Sequence, residues 1–304
     1  MDDSKSTLIL DDVSKSFGDF KAVSNLSLSV KPGRVFGLIG PNGAGKTTTI
    51  RMIVNITVPD SGRIQLLGQP MSTALQDRIG YLPEERGLYK KMKVGEQLRF
   101  FAELKSVKGR EADERIDKWL RKLQLEGWKD KRTKELSKGM QQKVQFITAV
   151  IHDPDLLILD EPFAGLDPVN VEVMKETIVE LRRANKTIIL STHQMEIAEK
   201  LCDDVCMIYR SRKVFDGRLR EIRHSFARNA VALRFEGSDG VLNDPELVAS
   251  VRPVGEEFEA LLAPGANPQL LLKRLVDAGV PVSKFELVEP SLHDIFIEKV
   301  REAA

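Results

Sequence analysis

Apolar and polar residues alternate through LILDDVSKSF (residues 8–17) and VSNLSLSV (residues 23–30), the rhythm of half-buried strands, and Pro32-Gly33 follows as a turn. RVFGLIG (34–40) is different: a short, almost unbroken apolar run that leads through a glycine-rich turn into KTTTIRMIVNI, where apolar residues recur at helical spacing. From Val94 to about Leu125 the spacing becomes helical over a long, heavily charged stretch, which predicts a helical subdomain within about residues 90–150. Two further buried strands are predicted at Asp155–Asp160 (DLLILD) and Lys186–Thr192 (KTIILST), with a helical segment from Val169 to Ala184 between them. After about residue 220 the text turns to AVALRFEG, FEALLA, PQLLLKRLVDAG, SKFELVE and SLHDIFIEKVREA, the parts of a small separate α+β domain. Asn267-Pro268 predicts an N-cap with a first-turn proline, and Ser291 with Asp294 a capping box. The expected architecture is α/β: a parallel-sheet core with an antiparallel layer and a helical subdomain over 1–220, then an α+β domain over 221–304.

The 304 residues suffice for one large and one small core. With 46 Lys+Arg against 45 Asp+Glu the chain lacks the basic footprint of a phosphate-backbone binder, so no nucleic-acid partner is expected. Cys202 and Cys206, in KLCDDVC, have no matching CxxC or histidine cluster, and the reading is a reduced cytosolic helix rather than a metal site. No apolar run approaches the roughly 18 residues of a membrane-spanning helix, and MDDSKSTLIL lacks a signal-peptide pattern, which predicts a soluble cytoplasmic chain.

Chemistry concentrates in three places. GPNGAGKTT, Gly40 to Thr48, fits G-x-x-x-x-G-K-[ST] between a predicted buried strand and a helix. Gly43 and Gly45 let backbone N–H groups turn toward phosphate oxygens, Lys46 reaches the β- and γ-phosphates, and the Thr47 hydroxyl suits Mg²⁺. LLILDEP brings Asp160 and Glu161 to the C-terminal end of a strand, where α/β sheets place their ligand crevice. Asp160 suits the metal's water shell, and Glu161 the activation of an attacking water. His193 follows the next core strand and is expected on the same sheet edge, at a γ-phosphate; His152, His224 and His293 are read as ordinary residues.

Together these residues resemble the ATP-binding subunits of ABC transporters over roughly Leu8 to Gly217. GPNGAGKTT resembles the family's phosphate loop, LSKGM its signature, LLILDEP its second acidic motif, AGLD its D-loop and STHQ its switch histidine. The resemblance implies ATP as substrate with Mg²⁺, held by Gly40, Asn42, Gly43, Ala44, Gly45, Lys46, Thr47 and Thr48, with Thr47 and Asp160 toward the metal. It implies Glu161 as base, with Lys46 and His193 beside the γ-phosphate, Asp167 in the D-loop, and Phe17, in KSFG, against adenine. It also implies that Ser137, Lys138, Gly139 and Met140 act in trans, closing over the phosphate held by a second, identical chain. A helix beginning here with a serine cap and a glycine N–H suits an anion.

Three departures from the family's usual text bear on the site: Lys138 and Met140 in the signature, Glu84 where the Q-loop glutamine is expected, and Phe17 for a tyrosine. LPEERGLY, LSKGMQQK and EPSLHDIFIEKV resemble the subfamily that drives ABC-2-type exporters, including sodium-efflux and drug-resistance systems. That resemblance implies an integral membrane permease on another chain and a peripheral position on the cytoplasmic face of the membrane. The alternative is a soluble ABC ATPase acting on ribosomes or DNA, whose usual paired cassettes or long coiled-coil insertions this sequence lacks.

Overall fold

The computed structural model describes residues 6–85, 87–226, 230–236, 242 and 244–302. They form two compact units, divided between Leu219 and Arg220. The first runs β1 (Leu8–Phe17), β2 (Phe20–Val30), β3 (Val35–Ile39), α1 (Lys46–Ile53), β4 (Ser61–Leu66), β5 (Gln69–Pro70) and β6 (Ile79–Leu82). It continues through α2 (Val94–Leu104), α3 (Gly109–Lys122), α4 (Lys138–Val150), β7 (Leu156–Asp160), α5 (Pro168–Arg183), β8 (Thr187–Thr192), α6 (Met195–Leu201), β9 (Asp204–Tyr209) and β10 (Arg212–Arg218).

Strands β2, β1, β4 and β5 make an antiparallel layer in that order. The central sheet has the order β10-β9-β3-β8-β7-β6, parallel throughout except for β10. Every residue of β3, β7 and β8 is buried, which explains their unbroken apolar text: both faces of a parallel sheet are covered. One core joins Leu8, Leu26 and Val30 of the antiparallel layer to Phe36 and Leu38 of β3, Ile50 and Ile53 of α1, and Ile158 of β7. Register then sets the function-bearing edge. Ile39 pairs with Thr192, and Asp160 with Ser191, so β3, β8 and β7 end level with one another.

The long helical stretch predicted from Val94 is two helices. Ser106 adopts φ 63° and Gly109 φ 58°, left-handed positions that stop α2 and restart the chain as α3. Each helix buries a stripe at i, i+4 spacing: Val94, Leu98 and Ala102 on α2, and Ala112, Ile116 and Leu120 on α3. The cysteine pair also needs correction. Cys202 ends α6, but Cys206 lies in β9, because DVCMIY is a buried strand rather than a continuation of the helix. Both thiols are free and buried, and burial pushes their pKa values upward, which makes them unreactive.

The second unit comprises β11 (Ala230–Phe235), β12 (Val248–Val254), β13 (Glu257–Leu262), α8 (Pro268–Asp277), β14 (Val282–Leu287) and α9 (Leu292–Glu302); a short helix, α7 (Leu219–Ser225), begins at the division. Its sheet, β12-β13-β11-β14, is wholly antiparallel. Val231, Leu233, Ala260 and Leu262 pack with Leu271 and Leu275 of α8. Both predicted caps are present: Asn267 accepts from the Gln269 N–H, and Ser291 and Asp294 bond each other's backbone N–H reciprocally.

One histidine makes a measurable contribution to the pH dependence of stability. His152 donates from Nε2 to the Ile79 carbonyl at 3.1 Å, while its Nδ1 is buried without a partner among the described residues. Burial depresses its pKa; the Ile79 carbonyl and Asp77 oppose this, while Lys105 and Arg115 reinforce it. The unfolded chain therefore takes up this proton first as pH falls, so stability is lost below the ordinary histidine value of about 6.5. Between pH 7.5 and 5.5 the wild type should lose more stability than His152→Gln, the gap growing by at most about 1.4 kcal/mol per pH unit. Parallel denaturant curves for the two proteins refute this.

Candidate functional site

The phosphate-loop residues bridge β3 and α1. Gly40 and Gly45 carry φ 152° and 109°, and a Cβ there would lie 2.1 Å from the Ile208 carbonyl oxygen and 2.3 Å from that of Ala22. The loop is thus pinned between neighbouring strands where only glycine fits. Gly43, φ 77°, faces open space, as a surface that must admit a ligand should. A cleft of about 380 Å³ is lined here by Asn42, Gly43, Gly45, Lys46, Thr47 and Thr48, together with Phe20, Ala22, Glu84 and Glu161. Ala44 instead turns its methyl into the core, and its N–H donates to the Pro41 carbonyl.

Lys46 is only 6% exposed. Its ammonium donates to the carbonyls of Gly40 (2.8 Å) and Pro41 (3.2 Å) and lies 3.9 Å from Glu161 Oε1. Burial lowers its pKa, and the carboxylates of Glu161, Asp160 and Glu84 pull the other way.

Glu161 follows β7 with φ 48°, a left-handed backbone that costs a non-glycine residue about 1–2 kcal/mol. Two main-chain bonds hold it there: its N–H donates to Ser191 O (3.0 Å), and Ala164 N–H donates to its carbonyl (3.1 Å). The side chain is held as firmly. Oε1 accepts from the backbone N–H of His193 (2.9 Å) and pairs with its ring Nδ1 (2.7 Å), and Oε2 accepts from Thr192 Oγ1 (3.3 Å). A fixed carboxylate with a histidine beside it, facing a lysine, has the geometry of a general base next to a charge sensor.

Asp160, immediately before it, is 0% exposed, and among the described residues neither carboxylate oxygen has a hydrogen-bond partner of normal geometry. The nearby Ser191 and Thr47 hydroxyls favour its charge, but burial outweighs them, aided by Glu84 and Glu161, and raises its pKa. Such an orphaned carboxylate is costly unless a cation or its water reaches it. The all-oxygen set of Thr47 and Asp160 fits a small hard cation that keeps most of its water. Among the described residues no group of three or more His, Cys, Asp and Glu side chains is arranged to hold a metal.

Ser137 caps α4, its Oγ accepting from the Met140 N–H at 3.2 Å. Ser137 and Lys138 are exposed, whereas Gly139 is buried beside Leu166 and Asn170. Asp167 caps α5 by accepting from the Asn170 N–H, which holds its carboxyl below the usual range. None of these residues lines the cleft around Lys46. Nor does Phe17, which is exposed with Lys15 over its ring; its hairpin partner Phe20 does. Phe20 is the residue that sequence reading passed over. Its only signal was an aromatic at the mouth of a tight hairpin.

A phosphate loop at the end of a central parallel strand, with an acidic pair and a histidine delivered by its neighbours, defines a P-loop nucleotide-binding ATPase. A family model described as ABC transporter matches residues 23–164, and one described as ATP-binding protein DrrA1-3-like, C-terminal domain, matches 217–300. The chain is 44% identical over 293 residues to the ABC transporter ATP-binding protein YhaQ of Bacillus subtilis (strain 168), covering 96% of this chain and 98% of that one. It is 38% identical to Nod factor export ATP-binding protein I of Rhizobium sp. (strain N33), covering 97% of each. Among solved structures, an ATP-binding subunit of an ABC transporter superposes with a TM-score of 0.68 at 32% identity, over 73% of this chain and 93% of that one. The ADP conformation of an ATP-binding cassette of an ABC transporter gives 0.62 at 26% identity, over 71% and 92%. The chain belongs to the ATP-binding proteins of ABC transporters.

The glycine geometry yields an ordered prediction. Gly43→Ala should cost about 1–2 kcal/mol, the left-handed penalty alone. Gly45→Ala adds a clash with the Ala22 carbonyl and should melt lower than Gly43→Ala. Thermal melts of the two proteins decide this, and equal melting temperatures remove the packing argument.

Proposed function

We propose that this ATPase powers an ABC-2-type membrane exporter, working as two identical chains that sandwich two ATP molecules. The observation that carries the ATPase part is the convergence of Lys46, Glu161 and His193 at the ends of β3, β7 and β8. The phosphate loop's N–H groups and Lys46 bind the β- and γ-phosphates, and the hairpin bearing Phe17 and Phe20 offers aromatic faces to adenine. Thr47 and Asp160 would hold Mg²⁺, which when bound neutralises charge on the β- and γ-phosphates. Glu161 orients water in line with the γ-phosphate and receives its proton, and His193 follows the γ-phosphate through the same carboxylate. Exposed Ser137 and the Gly139 N–H just behind it, at the start of α4, supply an anion site to the partner chain's ATP.

The exporter part is supported by likeness to a Nod factor export ATP-binding protein along nearly the whole chain, and by the DrrA1-3-like match in the second unit, for which a docking or regulatory task is proposed. No helix among the described residues is long and apolar enough to cross a membrane. In the proposed arrangement the permease is a separate chain and this one sits against its cytoplasmic face. The seat proposed for it is a groove in the first unit. Val54, Ile56, Ile79, Tyr81, Phe101 and Leu104 line a groove of about 350 Å³, and Ile56 and Leu104 are more than half exposed. A cytoplasmic segment of the permease with apolar side chains fits it, and β6 leads directly from this groove to Glu84.

Two outcomes are expected. Glu161→Gln should bind ATP but hydrolyse it at least about 100-fold more slowly, and light scattering with MgATP should show twice the monomer mass; a persistently monomeric mass at high concentration counts against the sandwich. Leu104→Glu should keep its basal ATPase rate yet recover far less polytopic membrane protein when tagged chain is pulled from native membranes. Recovery of ribosomal or DNA-bound proteins alone from the unmutated chain favours the soluble alternative.

A further inference from the structure

We infer that Gln145 is a positioning residue for the ATPase reaction: it fixes the Glu84 loop to the signature helix and so aims the Glu84 carboxylate into the nucleotide cleft. The inference rests on the ATPase reading above.

Gln145 is a polar residue in the most buried part of α4, 3% exposed and flanked by Val144, Phe146 and Ile147, all buried. Its amide nitrogen donates to two carbonyls, Pro83 O (3.3 Å) and Glu85 O (3.0 Å), the residues on either side of Glu84. Both hydrogens of one amide are thus spent on bracketing a single residue. Its Oε1 is buried without a partner among the described residues, an expense that an apolar residue of the same volume avoids. A core position that keeps such a group has a use for its donor.

The bracket is the last of three ties between α4 and β6. At the start of β6, His152, just beyond α4, donates to the Ile79 carbonyl. In the middle, Gly80 lies so close that a Cβ would sit 2.0 Å from the Ala149 carbonyl oxygen. At the end, Gln145 holds the turn that carries Glu84, which lines the same cleft as Lys46 and Glu161. Strand, turn and helix therefore move as one piece. The neighbouring Gln142 makes a separate tie, donating to Pro162 O (3.3 Å) just after Glu161, and serves as the internal comparison.

A residue that aims Glu84 without touching nucleotide should change turnover rather than substrate binding. Gln145→Met keeps the shape and loses the donor. It should lower kcat about five- to thirtyfold, the scale expected for a misplaced catalytic group, with KM for ATP within about twofold. Amide exchange should rise in a peptide spanning Glu84, measured without nucleotide, and stay unchanged in the peptide spanning Pro162. Gln142→Met should give the reverse exchange pattern. In a Glu84→Gln background, adding Gln145→Met should lower kcat by less than about twofold.

Unchanged exchange at Glu84 overturns the inference, as does an effect confined to KM, or a full-sized loss of kcat in the Glu84→Gln background. Should Gln145→Met fold poorly, Gln145→Leu is read by exchange alone, with the same two outcomes. Because exchange needs no turnover, an inactive wild type defeats the proposed function while still judging Gln145.

Discussion

A buried carboxylate without a well-formed hydrogen bond among the described residues governs this molecule. Asp160 closes the central strand β7 with no exposed surface, next to a second buried acid, Glu161. Burial makes the charged form of Asp160 costly and raises its pKa, with Glu84 and Glu161 adding to the effect. The fold tolerates it because Lys46 is buried opposite and because β7, fully covered on both faces, cannot relax. Positive charge from outside would complete a site held in this state. The proposed metal, arriving with ATP, would then relieve an electrostatic cost in the same place where the phosphate loop offers donors.

The precision comes from strand register rather than from the loops themselves. Level endings of β3, β7 and β8 place Gly40, Glu161 and His193 one residue beyond a shared edge. Glu161 leaves that edge in a left-handed turn, which directs its side chain back toward the His193 backbone instead of onward along the strand. A relaxed backbone here would lose the bond to the His193 N–H, so the strain and the geometry are one feature.

How much of this was legible in the text depends on range. The phosphate loop, the acidic pair and the caps at Asn267 and Ser291 are local patterns whose physics closes within a few residues, and they were readable. The parallel strands were readable because covering both faces leaves an unbroken apolar run. The break at Ser106 was not, since a single glycine such as Gly109 is tolerated within a helix and the apolar stripe resumes in phase. Strand β12 was hidden for the opposite reason: six of its seven residues are exposed and Pro253 lies within it, so VASVRPV reads as loop. Cys206 was misplaced because a four-residue spacing fits a helix as well as a strand following a helix end. Gln145 and Phe20 carry no motif at all; their partners lie 60 residues away or across a hairpin, beyond what spacing can encode.

Helix α4 draws these strands of argument together. Its first turn is the proposed anion site, and three glutamines follow, Gln142 and Gln145 buried and Gln141 half-buried, whose amides each hold a different backbone segment: Gln141 the turn before Ser137, Gln142 the turn after Glu161, Gln145 the turn around Glu84. A rigid helix transmits a displacement of one end to the other, and hydrogen bonds to carbonyls pass it on without needing a side chain to change rotamer. A group engaging Ser137 and Gly139 would therefore reach Glu161 and Glu84 through the same element. In the proposed pair of chains closing on two nucleotides, that arrangement would let contact with the partner's phosphate set the geometry around Glu161, which would make closure a condition of hydrolysis and not merely its prelude.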